Sequence, residues 1–186
     1  MWPASPQRFR IDNDPAMPFA ASQVLILPGW GGPQSAHWTV QWSQLHGHTL
    51  VDQHDWHSPL RGDWLMGLEE AVLARSGPLL LAADGLACLM VAAWASISQQ
   101  AQRVVGALLV QPMALDSEHW QARLPSWSPV VLQRLPFPST VVAAADSSAM
   151  LHWAQAWGSR CLPMAQAISE PAWPQGQALL REFIKD

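Results

Sequence analysis

The sequence contains no tyrosine and only two cysteines, Cys88 and Cys161. Two thiols so far apart make no disulfide framework, and reduced thiols are expected. No apolar run approaches the roughly 20 residues needed to cross a bilayer, so no membrane partner is expected. Basic residues number 10 against 14 acidic ones, a formal net charge of -4. That balance lacks the basic footprint of a nucleic-acid binder. The glycine-rich segment PGWGG (Pro28 to Gly32) lacks both G-x-G-x-x-G and the Lys-Ser/Thr of a P-loop, which leaves a nucleotide reading unsupported. No cofactor is expected. Residues 1–22 lack the charged start and apolar block of a secretory leader. They read as a polar, proline-containing extension, residues 23–186 read as one domain, and a cytoplasmic location is the expectation.

What is present in excess is tryptophan, with twelve copies in 186 residues. Trp38/Trp42 and Trp153/Trp157 stand one helical turn apart, a spacing that suits packing on a core. About half of the residues are hydrophobic, and the chain is long enough to bury a full core.

Apolar runs and helical patterns alternate along the chain. VLILP (Val24 to Pro28), HTLVDQ (His48 to Gln53), LLLAA after Pro78, VVGALLVQP (Val104 to Pro112), TVVAAAD (Thr140 to Asp146) and Arg160 to Met164 read as strands. Helices are expected over Trp38–Leu45, Trp64–Arg75, Leu86–Gln100, Met150–Trp157 and the C-terminal GQALLREFIKD. A Trp/Pro-rich loop of about 25 residues follows the fourth strand, on the turn chemistry of its residues. This rhythm predicts βαβ units and a mostly parallel sheet in a three-layer α/β/α sandwich, with function in the loops at the C-terminal strand ends.

One of those loops is LLAADGLAC (Leu80 to Cys88). A nucleophile elbow is written small-x-nucleophile-x-small, because a strand and a helix must meet closely while one side chain enters the cleft. Centring the pattern on Gly85 gives Ala83 and Ala87 as flanks. Centring it on Asp84 gives Ala82 and Leu86, and leucine is too large. The steric pattern therefore puts Gly85 where a nucleophile would stand, and glycine adopts the strained elbow backbone at little cost. Asp146, ending the fifth strand, occupies the place of a triad acid, although Asp146 or Ser147 would equally cap the following helix. The only histidine beyond Asp146 is His152, inside that helix, so no general base stands where a triad needs one. HDWH (His54 to His57), with Asp52 and Asp55, invites a metal reading, but no further ligand completes it and no metal is expected.

The segments LPGWGGPQSAHW, VDQHDWHSP, GPLLLAADGLAC, VGALLVQP, LPFPSTVVAAAD, AWGS and WPQG, in this order, resemble the YdeN-like (retinoblastoma-binding-protein-9-type) small serine hydrolases. The resemblance spans roughly Val24 to Leu180 and implies a compact α/β-hydrolase fold. Where the family reads A-H-S-L-G-C at its elbow, this chain reads Ala83-Asp84-Gly85-Leu86-Ala87-Cys88. The resemblance thus makes Gly85 the emptied serine position and Asp146 the retained acid position. Trp30 and Leu86 fall at the oxyanion-hole-like positions, and Gly29 and His37 in the cleft loop. The histidine segment corresponds to AQAISEPAWPQG, which has none; Gln166 is its nearest counterpart. Loss of triad members costs on the order of 10⁶ in turnover. The expectation is a catalytically inactive member that binds a small molecule or a protein through the vestigial cleft. An alternative is an esterase-like hydrolase with Asp84 as nucleophile. Cys88, one turn past the elbow, is expected to point into the packing. A third possibility is an assembly partner using exposed tryptophans.

Overall fold

A computed structural model describes residues 23–115, 117–144, 147–164 and 171–184. The residues expected to form the N-terminal extension, together with Asp146 and Gln166, lie outside the described residues.

Six parallel strands form one sheet in the order β2-β1-β3-β4-β5-β6. They are β1 (Val24–Leu27), β2 (Thr49–Leu50), β3 (Leu79–Asp84), β4 (Val104–Val110), β5 (Ser139–Ala144) and β6 (Arg160–Met164). The helices are α1 (Trp38–His46), α2 (Arg61–Leu73), α3 (Leu86–Ala95), α4 (Glu118–Arg123), α5 (Ser148–Trp157) and α6 (Pro174–Glu182). Strand residues of alternate parity feed two cores. Leu79, Leu81 and Ala83 of β3 join the larger one with residues of α2, α3 and α5. Leu80 and Ala82 join the smaller one with Trp38 and Trp42 of α1 and Leu180 of α6. The central strands are apolar on both faces because helices cover both.

Three expectations needed correction. The strand expected over His48–Gln53 shrinks to Thr49–Leu50. Its only partner among the described residues, β1, stops at Leu27, and the Gln53 N–H turns to the Asp52 side chain. The helix expected to Gln100 ends at Ala95, and a 3-10 turn over Gln99–Arg103 follows, capped by Ser98. The long loop after β4 contains α4, capped by the Ser117 hydroxyl, and a 3-10 turn over Pro125–Trp127. The expected cap of α5 resolves in favour of Ser147, whose side chain accepts the Met150 N–H.

Tryptophan does the work that tyrosine and disulfides share elsewhere. Trp38, Trp42, Trp64, Trp94, Trp127 and Trp157 are fully buried. A buried indole N–H needs an acceptor, and here several acceptors are loop carbonyls. Trp42 donates to Ala172, Trp64 to Asp55, Trp127 to Pro59 and Trp157 to Val131. Each such residue fills core volume and fastens a loop at once. No tryptophan is among the exposed large hydrophobic residues described, while Trp30, Trp56 and Trp120 are partly buried.

Candidate functional site

The strand order reverses between β1 and β3: β2 is added on one side of β1, and β3 to β6 are added in succession on the other, all strands staying parallel. Ligands in open parallel sheets bind at such a point, beyond the carboxyl ends of the strands. The register Leu27↔Ala83 brings the glycine-rich loop after β1 directly against the turn after β3.

That turn is an elbow centred on Gly85. Its backbone sits at φ 53° and ψ -117°, between the end of β3 and the first residue of α3. The N–H of Gly85 bonds to the carbonyl of Val110, and its own carbonyl accepts from Cys88 and Met113. Positive φ with this ψ is costly for any side-chain-bearing residue. A Cβ built there meets nothing within 4 Å outside its immediate chain neighbours, so a side chain at this position would project into open space. Leu86 follows as the first residue of α3, its side chain fully buried in the larger core. Cys88 is also fully buried, its thiol directed at the carbonyls of Ala83 and Val110. Burial, reinforced by the Asp84 charge, pushes that thiol well above its ordinary pKa, which leaves it protonated and unreactive.

Asp84 shares the parity of Leu80 and Ala82, so its side chain turns to the α1 side of the sheet. Its Oδ1 accepts from Trp38 Nε1 at 3.4 Å and lies 3.8 Å from His37 Nε2. The second distance is beyond hydrogen-bond reach. Burial raises the Asp84 pKa, and His37 and the Trp38 hydrogen bond pull against that rise. His37 is the N-cap of α1: its Nδ1 accepts the Thr39 N–H and lies 2.9 Å from the Thr39 hydroxyl.

The loop after β1 crosses over Asp84 at Gly29, where a Cβ would lie 2.9 Å from the Asp84 carbonyl oxygen. It then turns, Gly32 N–H to Gly29 O, and is fastened to HDWH. Gly31 N–H bonds to the carbonyl of Trp56, and Trp30 Nε1 donates to the carbonyl of His57. Asp55 holds the HDWH turn itself, taking the N–H groups of His57 and Ser58 on one carboxylate oxygen. HDWH is thus a platform for the first loop, and no group of three potential metal ligands exists among the described residues.

Sequence reasoning missed α4 and what it brings. Trp120 meets Trp30 edge-on at 5.4 Å, and the Arg123 guanidinium stacks 4.7 Å from the centre of the Trp30 ring. The available signal was Ser117-Glu118 as a helix start, hidden among prolines and tryptophans. The structure therefore brings together Gly29, His37 and Asp84 and sets Gly85 and Leu86 immediately after them. His119 and His152 are exposed on α4 and α5.

A family model described as "Serine hydrolase" matches residues 24–182. Among solved structures, a putative YdeN-like hydrolase from Pectobacterium atrosepticum superposes with a TM-score of 0.74 at 19% identity, covering 87% of this chain and 89% of that one. The ydeN gene product of B. subtilis gives 0.68 at 16% identity, covering 89% and 100%. A Vlm2 thioesterase domain, crystallised with a bound dodecadepsipeptide, gives 0.56 at 12% identity, covering 86% and 96%. No curated protein matches. At these identities the solved neighbours speak for the fold, which is the α/β-hydrolase architecture expected from the sequence.

Proposed function

Because the chain belongs to the serine hydrolase family, we propose that it is a member without the family's hydrolytic chemistry, one that binds a small molecule or a protein in the cleft above its elbow. The observation that carries this reading is Gly85. The elbow backbone is kept at φ 53°, while the residue at its apex offers no nucleophile. The alternative nucleophile, Asp84, is engaged with Trp38 on the other side of β3, and the one histidine facing it is 3.8 Å away. An ester intermediate on Asp84 would still need a base to activate water.

Purified protein is expected not to react with a fluorophosphonate probe and not to hydrolyse short p-nitrophenyl esters above background. Gly85→Ser alone is expected to restore neither, since a serine without its base remains a weak nucleophile. Robust turnover abolished by Asp84→Asn would overturn the reading. The binding role is tested by a fragment screen read by NMR: hits that shift Leu86 and Met113 support it, and hits confined to other surfaces refute it.

A further inference from the structure

Trp30 and Trp120 come from two different connections. Trp30 stands in the loop after β1, and Trp120 in α4 on the long connection after β4. The strand order β1-β3-β4 puts these connections on opposite sides of the β3 elbow. Neighbouring strands lie about 4.8 Å apart, so β1 and β4 are separated by roughly twice that. Both connections are footed on the elbow. A Cβ on Gly29 would stand 2.9 Å from the Asp84 carbonyl oxygen, and the Met113 N–H bonds to the Gly85 carbonyl. The edge-on contact of Trp30 with Trp120 at 5.4 Å therefore closes across the elbow. Between the two footings, a Cβ at Gly85 would meet nothing within 4 Å outside its chain neighbours. Trp30, Met113 and Trp120 are each half-buried, so the walls of this space are apolar and partly open.

Arg123 adds the charge. Its guanidinium carbon lies 4.7 Å from the centre of the Trp30 ring, and the residue is exposed. Among the described residues it takes part in no ion pair. Stacking occupies one face of a guanidinium and leaves the N–H donors, which lie in its plane, for other partners. An exposed arginine is ordinarily just solvated. This one rests on a tryptophan that is itself fastened, through Nε1 to the His57 carbonyl at 3.1 Å. A guanidinium held in this way loses little freedom when an anion engages its edge. Asp84, the carboxylate that ends β3, accepts from Trp38 of α1 on the other face of the sheet, so it does not compete for Arg123.

We infer that the cleft takes an aliphatic monocarboxylate, its carboxylate paired with Arg123 and its chain lying against Trp30 and Met113 over Gly85. This rests on the reading that the cleft binds a ligand without hydrolysing it. One positioned guanidinium matches one planar carboxylate, edge to edge. The half-buried apolar walls suit a methylene chain, which gains by leaving water. Arg123 is then the residue that selects for the anion, and the two tryptophans hold it in place.

NMR titration of the isotope-labelled full chain with octanoate, octanol and octylammonium tests this. Octanoate is expected to shift the Leu86 and Met113 amides and the Trp30 indole N–H saturably, at least tenfold more tightly than octanol, with octylammonium weakest. Arg123→Met keeps an unbranched chain to lie on Trp30 and removes the charge. It should lower octanoate affinity to that of octanol and leave octanol unchanged. In the unaltered chain the Arg123 Nε–H signal should move with octanoate and not with octanol, which gives the same reading if the variant does not fold. Three results overturn the proposal: no octanoate shifts at Leu86 and Met113, equal affinity for octanoate and octanol, or octanoate binding unchanged in Arg123→Met. Shifts of Leu86 and Met113 by other fragments would then leave the binding cleft standing without its anion. Turnover of p-nitrophenyl octanoate above background would instead overturn the reading of an inactive member.

Discussion

Gly29 lies against Asp84 so closely that a Cβ on the glycine would stand 2.9 Å from the aspartate's carbonyl oxygen and 3.0 Å from its Oδ2. This contact joins the loop after β1 to the elbow after β3 and sets the height of one over the other. Gly29→Ala is therefore expected to destabilise the fold by about 1–3 kcal/mol, the usual range for overpacking. The neighbour that would have to yield is main chain, which moves only with the whole turn. Chemical denaturation of the variant checks this, and an unchanged midpoint would show that the loop can lift freely.

Gly85 tests the elbow by a different route. Its would-be Cβ meets nothing within 4 Å, so a substitution there is opposed only by backbone strain at φ 53°. Gly85→Ala and Gly85→Ser should each cost about 1–3 kcal/mol, and by nearly the same amount. A large difference between them would reveal a specific partner for the serine hydroxyl.

Asp84 gives a pH signature. Burial holds its folded pKa above the ordinary carboxylate value. Between the unfolded value, about 3.9, and the raised folded one, the folded chain keeps a proton that the unfolded chain has lost. Its contribution to stability therefore falls as pH rises through that window. Asp84→Asn, which can still accept from Trp38, should gain stability relative to the parent as pH climbs through the same window, with no further change above it. Denaturation of both proteins from pH 3 to 8 checks the sign. A relative loss on raising the pH would mean that the His37 side chain outweighs burial.

Trp127 tests the tryptophan fastenings. It is 1% exposed, donates to the Pro59 carbonyl at 2.9 Å and meets Trp64 edge-on at 5.3 Å. Trp127→Phe keeps a ring but strands a buried carbonyl, a loss of about 1–3 kcal/mol. Equilibrium denaturation measures it. No loss would indicate that water reaches Pro59.

Much of this was legible in the chain itself. Residues 24–27, 79–84 and 104–110 are strands because apolar runs ended by proline, aspartate or polar turns have little else to become in a covered parallel sheet. The small flanks Ala83 and Ala87 located the elbow at Gly85 rather than Asp84 because strand–helix crossing is a local steric matter. Gly85 at positive φ followed from the same pattern. The edge strand β2 was less legible, since its length is set by where β1 ends. The helix α4 was obscured because its Ser117 cap lies among residues that equally suit a loop.

What the sequence by itself determined was the order of the elements, the place of the elbow and the lack of a nucleophilic side chain at its apex. These are properties of neighbouring residues, and short-range sterics and periodicity decide them. Only the tertiary structure decided that Asp84 faces Trp38 and His37, that the carbonyls of Trp56 and His57 fasten the first loop, and that Arg123 stacks on Trp30. Those relations join segments dozens of residues apart. They depend on strand register and on how far each helix leans over the sheet, and no local pattern in the chain encodes either.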